Sequence, residues 1–278
     1  MSLTLAQRNQ LRKRAAQEAA AAAPAALMDG ATGYEVMLAK LQQDQFRLKQ
    51  VQSTEGKAKL KAELLPDYVP YIEGVLAAGQ GAQDDVLVTV MVWRFDASDF
   101  DGGLQIAEYV LRHQLVMPDR FNRTTGCLVA EEVATAALNA QKAGKTFPLV
   151  TLNRTAELTA DQDMPDEARA KLVLAQGRAQ LAQLNYDAEA LTQDERAWLQ
   201  FGIDLLKRAI ELHNSCGGKK DLERAERLLK KHAESAPTDT GTGEPPADDQ
   251  PQPHQAKGDE ADQGAPDAST GTGEPSAN

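Results

Sequence analysis

The reading of the fold turns on QDDVLVTVMVWRFDASDFDGGLQIAEY, residues 83–109. Its first half, VLVTVMVW, has the β-branched content of a buried strand. Its second half, DASDFDGGLQIAE, has the outline of a calcium loop. A strand needs a partner, yet neither flank has hairpin spacing and no βαβ alternation runs along the chain. Asp84 and Asp85 stand just before the apolar run, where an N-cap and a first-turn carboxylate belong. Val86, Val90 and Trp93 recur at helical spacing, with Leu87, Met91 and Arg94 beside them. The stretch therefore reads as a buried helix ending near Asp96, the turn ASDFDGG, and a second helix, GLQIAEYVLRHQLVMP, stopped by Pro118.

The calcium alternative is tested position by position. An EF-hand loop takes ligands at positions 1, 3 and 5, glycine at 6 and glutamate at 12. With Gly102 at position 6, Asp101, Asp99 and Glu108 fall at 5, 3 and 12, but position 1 is Ala97. A turn in which Asp caps a helix and Gly permits the bend accounts for the same residues. The neighbouring pairs Asp84–Asp85, Glu131–Glu132, Asp166–Glu167 and Asp194–Glu195 each fall near an expected helix start, where the macrodipole favours them. No metal and no cofactor is expected. AGKT at 143–146 lacks the glycine that a phosphate loop needs at position 139, where Asn139 stands, and it follows a helix; Gly144 reads as a helix cap.

Outward from the central stretch, helical periodicity continues. An alanine-rich helix spans 3–27, with Leu3, Leu5 and Leu11 as its apolar stripe and Pro24 at its end. Others begin at residue 32 (Tyr34, Met37, Leu38, Leu41, Leu48), cover 55–65, and start at Pro70 to close at Gly79 and Gly81. Further helices are expected over 129–143, 149–160, 165–184, 193–213 and 218–232. Trp198–Gly202 echoes the W-x-x-L-G start of a tetratricopeptide repeat. The expected fold class is all-α: stacked helical hairpins, weakly tetratricopeptide-like towards the C-terminus, with a disordered acidic C-terminal tail. The expected pieces are a basic N-terminal helix or arm (1–30), a central helical domain (31–164), C-terminal hairpins (165–234) and the tail (235–278).

The bulk numbers agree with a helical protein. The 278 residues are 42% hydrophobic but only 5% aromatic, much of the apolar share being alanine. No apolar run is long enough to span a membrane. The start mimics a signal peptide, but Gln17 and Glu18 interrupt it. Cys127 and Cys216 form no disulfide framework, which suits a reducing cytosol, and the four histidines have no zinc-ligand spacing. Net charge is −11. Residues 234–278 alone carry −9, whereas residues 1–61 carry +5. A local basic patch, not a basic average, is what phosphate contact requires.

The segments MLAKLQQDQ (37–45), LKAELLPDYVPYIEGVLAAGQGAQDDVLVTVMVWRFD (60–96), GGLQIAEYVLRHQLVMP (102–118), EEVATAAL (131–138) and ELTADQDMPDEARAKL (157–172) resemble the GpM-like terminase small subunits of tailed bacteriophages. The resemblance runs over residues 5–232. It implies a protein of the host cytoplasm that recognises a packaging or cohesive-end site on phage double-stranded DNA. It further implies a homo-oligomer, often a ring, that passes DNA to a terminase large subunit holding the packaging ATPase and the nuclease. The family brings no catalytic motif, and none is read here, so the chain is expected not to be an enzyme by itself.

DNA-contact candidates come from charge: Arg8, Arg12, Lys13 and Arg14 in the head, then Arg47, Lys49, Lys57, Lys59 and Lys61. The head reads either as a solvated helix end or as a DNA-contacting arm, and the second group reads alternatively as the solvated face of two helices. The acidic tail suits a basic surface of the large subunit or serves to repel non-specific DNA. The competing reading is a helical-repeat adaptor that binds a protein segment without DNA.

Overall fold

A computed structural model describes residues 3–24, 26, 30, 32–118, 123–185 and 190–234. Among these residues the fold is all-α, with eleven helices and no strand. They belong to one compact unit, Met1–Ala236. The expected disordered tail, 235–278, lies outside the described residues.

The central stretch is a helix, α5 (Asp85–Asp96), buried on nearly every side. Val86, Leu87, Val88, Val90 and Met91 have no exposed surface. A helix apolar all round survives only inside a core. Its valines cost helix propensity, which burial at about 1.5–3 kcal/mol per large side chain outweighs. The neighbours that bury it are α2 (Thr32–Gln50), α3 (Thr54–Leu64), the 3-10 turn Leu65–Asp67, α6 (Phe100–Arg112) and α7 (Thr125–Lys142). Trp93 meets the edge of Tyr68 at 5.9 Å between ring centroids.

A helix buried at its start must satisfy its first N–H groups internally. Asp84, only 1% exposed, is the N-cap: it accepts the Leu87 N–H at 2.8 Å and the Tyr71 hydroxyl at 2.7 Å. Tyr71 sits on α4 (Val69–Ala78), so one carboxylate joins α4 to α5. Tyr109 of α6 supports the same turn by accepting the Gly81 N–H at 2.9 Å. Gly81 has φ +87, open to glycine without strain, and a side chain there would run into His113.

The ASDFDGG turn is built as a cap at both ends. Ser98 takes φ +63 and the Asp99 N–H returns to Arg94 O at 2.8 Å, closing α5. The Asp99 side chain then accepts the Gly102 N–H at 3.1 Å and starts α6. Helix α6 stops at Arg112, six residues before the expected stop at Pro118. Gln114 turns left-handed at φ +56 and the Leu115 N–H bonds Val110 O, which lets Leu115 and Met117 bury themselves. Helix α7 begins at Thr125, capped by Thr124. That corrects the expected start at 129 and leaves Glu131–Glu132 two turns inside the helix rather than at its N-terminus. Gly144, at φ +70, ends α7 as the AGKT reading expects, with the Lys145 N–H on Ala140 O.

Helix α1 covers Leu5–Ala21, shorter than the expected 3–27, because Ala22 is already extended ahead of Pro24. Its packed face takes in only part of the leucine stripe: Leu11 is half-buried against the core. Leu5 is 77% exposed, whereas Ala15 and Ala19 are buried against α4. Gly74 makes that contact possible: a Cβ there would stand 2.3 Å from Arg12 O and 2.9 Å from the Ala15 Cβ. Glu18 then reaches α2 and accepts the Gly33 N–H at 3.0 Å and the Tyr34 N–H at 3.3 Å, a carboxylate on a helix N-terminus.

Towards the C-terminus α8 (Leu149–Leu158) and α9 (Asp166–Leu181) pack with α7, and α9, α10 (Gln193–Leu212) and α11 (Lys219–Glu234) form successive hairpins. The latter three own a second apolar cluster around Leu174, Leu199, Ile203 and Leu206, and Leu138 touches both clusters. The Trp198–Gly202 segment works in this packing: Gly202 lets α10 approach within 2.6 Å of Leu181 for an added Cβ.

Two outcomes follow. In an exposed helix Gly→Ala gains about 1 kcal/mol; Gly74→Ala is expected instead to lose about 1–3 kcal/mol in urea unfolding, because the added methyl meets backbone. Burial pushes the Asp84 carboxyl from 3.8 up to about 6, against the partial relief of the Leu87 and Tyr71 bonds. The folded chain therefore keeps a proton that the unfolded chain has released between those values. The stability Asp84 confers is complete below about pH 3.8 and is lost as pH rises through about 6. Asp84→Asn keeps a cap oxygen and cannot ionise. Between pH 3.5 and 7 the native chain is expected to lose about 3 kcal/mol relative to this variant; a difference independent of pH contradicts the assignment.

Candidate nucleic-acid interface

The nine basic residues singled out by charge do not form one surface. Arg8, Arg12, Lys13 and Arg14 are exposed on α1. Arg14 lies 3.4 Å from Glu18, and Arg12 lies 4.0 Å from Glu73 of α4 while bonding Asn9. Arg8 and Lys13 have no carboxylate partner among the described residues. Since α1 is held by alanines on its other face, its cations project from a fixed helix.

A second set converges. The C-terminal turn of α2, the start of α3 and the end of α5 bound a cleft lined by Gln45, Leu48, Lys49, Lys57, Lys61, Val92, Trp93 and Asp96. Ser53 caps α3, its hydroxyl accepting the Gly56 N–H at 3.1 Å. Lys61 is largely buried and pairs with Asp96 at 2.5 Å. Lys49 and Lys57 have no carboxylate partner among the described residues, so their charges remain open to a ligand. Trp93 is too buried to stack on a base. Lys59, on the opposite side of α3, is exposed and pairs with Glu55 at 2.9 Å.

Arg47 belongs elsewhere. It lines a groove between α1 and α2 together with Arg14 and Lys40. The buried Asp44 dominates that groove, holding Arg47 at 3.1 Å, Lys40 at 2.7 Å and the Tyr68 hydroxyl at 2.8 Å. Lys40 also pairs with Asp67 at 3.2 Å and lies over the Tyr68 ring. Burial, with Asp44 beside it, pushes the Tyr68 hydroxyl far above its ordinary range, so it stays a donor. Lys40 was missed as a neighbour of these residues; its i,i+4 spacing to Asp44 was the available signal.

The carboxylates noted in the sequence have local partners. Asp99 pairs with Arg94 besides capping α6. Glu131 sits between Arg123 at 2.7 Å and Lys171 at 3.7 Å. Burial, and then Asp96, raise the Glu132 carboxyl. Asp166 and Glu167 occupy the first turn of α9, and Glu195 completes a capping box with Thr192. Among the described residues no group of three or more His, Cys, Asp and Glu side chains could hold a metal ion. No described helix is long and apolar enough to cross a membrane.

Comparison with known proteins follows the same line. Residues 38–167 match the family model described as the phage small terminase subunit. The chain is 44% identical to the "Terminase, endonuclease subunit" of Escherichia phage P2 over 232 residues, covering 84% of this chain and 88% of that protein. It is 25% identical to the "Probable terminase, endonuclease subunit" of Haemophilus phage HP1 over 207 residues, 74% of each. No solved structure matches it significantly. With a relative so similar over nearly its whole length, the chain belongs to the phage small terminase subunit family.

Proposed function

We propose that this chain is the DNA-recognition subunit of a phage packaging terminase. In this reading it binds the packaging or cohesive-end site, assembles as a homo-oligomer in the host cytoplasm, and brings DNA to the large ATPase and endonuclease subunit. The observation that carries it is the cleft at the α2–α3 elbow, whose lining includes both Lys49 and Lys57, neither ion-paired among the described residues, while its one carboxylate, Asp96, is taken by Lys61. Arg8 and Lys13 on α1 supply further exposed cations. Lysines of this kind are point charges suited to phosphate, and their contribution is sequence-independent. Site selection would come from assembly and from DNA shape as much as from base edges.

In the same reading the chain contributes no catalytic group of its own. The support is the use already made of its carboxylates: Asp84 and Asp99 cap helices, and Glu131 is shared by two cations. The word "endonuclease" in the names of the two phage relatives would then describe the complex. The division of labour proposed is a basic N-terminal helix (1–30), a central helical domain (31–164), C-terminal hairpins (165–234) and an acidic tail (235–278).

The test is fluorescence anisotropy with a packaging-site duplex across a salt series. Lys49→Ala/Lys57→Ala is expected to weaken binding and to reduce the slope of log K against log salt by about two, one phosphate contact for each lysine. Lys59→Ala, whose lysine is tied to Glu55 outside the cleft, is expected to bind like the unmodified chain. Equal losses from the two variants, or no salt-dependent binding at all, would remove the cleft from the interface and favour the adaptor reading.

A further inference from the structure

A larger groove lies on another part of the fold, apart from every cation considered above. One wall is the last turn of α7 with the Gly144 turn; the other is the C-terminal half of α9 with the first turns of α11. Its volume is about 860 Å³. Leu138, Phe147, Leu174 and Leu181 supply apolar floor. It opens where the two apolar clusters meet, since Leu138 packs against both. The seam leaves apolar surface that neither cluster covers.

The mouth of this groove is cationic. Lys142 and Lys145 are exposed on one side, with no carboxylate partner among the described residues. Across from them Arg178 is bound to Asp221 at 2.8 Å and to the Gly217 carbonyl at 3.2 Å. Asp221 is the single carboxylate among the lining residues, and Arg178 already consumes it. On the floor, Gln141 donates to Ala175 O at 2.9 Å and leaves its own oxygen unpartnered.

An apolar floor with a positive rim specifies its occupant's chemistry. Duplex DNA presents phosphates but no apolar side chain to fill such a floor. A protein segment does both, through one or two large apolar anchors flanked by carboxylates. We propose that this groove docks an acidic, apolar-anchored segment of a protein partner, and that in the packaging complex the partner is the large subunit. The proposal rests on the reading of the chain as the recruiting subunit. It separates two faces of one molecule: the α2–α3 elbow for polyanionic DNA, and the α7–α9–α11 groove for protein.

The test uses the full chain and the large subunit of the same phage. Lys142→Glu/Lys145→Glu changes two exposed side chains, and circular dichroism confirms that the fold is kept. The variant is expected to bind the large subunit at least tenfold more weakly in biolayer interferometry, with packaging-site DNA affinity unchanged. Cys216 lines the groove and is half-buried, whereas Cys127 is buried. Its alkylation by a maleimide is expected to slow at least fivefold in the complex. If the complex forms but Cys216 reacts at the free rate and the variant binds normally, the groove proposal alone falls. The same holds if the variant loses DNA instead, which would make the groove a nucleic-acid surface. If the unmodified chain binds neither the large subunit nor DNA, the functional reading falls and takes the groove with it.

Discussion

A helix buried on all sides leaves its own first turn as the hardest part to accommodate, and in this protein Asp84 solves that problem. Its two oxygens divide the work, one on the Leu87 N–H and one on the Tyr71 hydroxyl. The first bond starts α5; the second fixes where α4 runs beside it. Once α5 is placed, α2, α3, α6 and α7 each have an apolar face to cover. Helix α1 then closes on α4, through alanines and Gly74 rather than through large side chains. The cost is a carboxylate taken wholly out of water, so its pKa rises even with two donors on it.

Much of this architecture was legible because the local signals agreed with each other. Asp84 before an apolar run, Pro70 in a first turn, Gly79 and Gly81 after α4, and Gly144 after α7 all act as the sequence suggested. The calcium-like turn was legible too: Asp99 is an N-cap, and Ala97 stands where a first ligand would have to be. The misplaced features share a cause. Leu3, Leu5 and Leu11 mark a thin apolar stripe along the head, of which Leu5 is exposed, because α1 faces Gly74 and packs chiefly by its smallest residues. Pro118 marks a helix stop in the sequence, but the burial of Leu115 and Met117 turns the chain earlier. Thr124 was overlooked as a cap, which put Glu131 and Glu132 at a false helix start.

The candidate interface was legible only as a composition. Position in sequence marked nine cations, but their grouping depends on tertiary contacts. Lys49 and Lys57 line one cleft because the chain reverses between α2 and α3, and Ser53 at that reversal gave the available hint. Arg47, two residues from Lys49, faces another groove, and there a buried Asp44 neutralises it. Which cations keep free charge is decided by carboxylates distant in sequence, such as Asp96 for Lys61 and Glu73 for Arg12. A chain with net charge −11 can thus still hold local rows of unneutralised lysine and arginine. The groove carrying Lys142 and Lys145 was wholly hidden, because its walls come from segments about forty to eighty residues apart.

The central claim is that a rigid helical core presents polyanion-binding lysines at the α2–α3 elbow and on α1. Hydrogen–deuterium exchange with and without packaging-site duplex at low salt tests it most directly. The account predicts slowed exchange concentrated in peptides covering residues 41–61 and 4–18, and no change in α5, which is already protected by burial. Protection confined to α10 and α11, or none anywhere at saturating duplex, would contradict it.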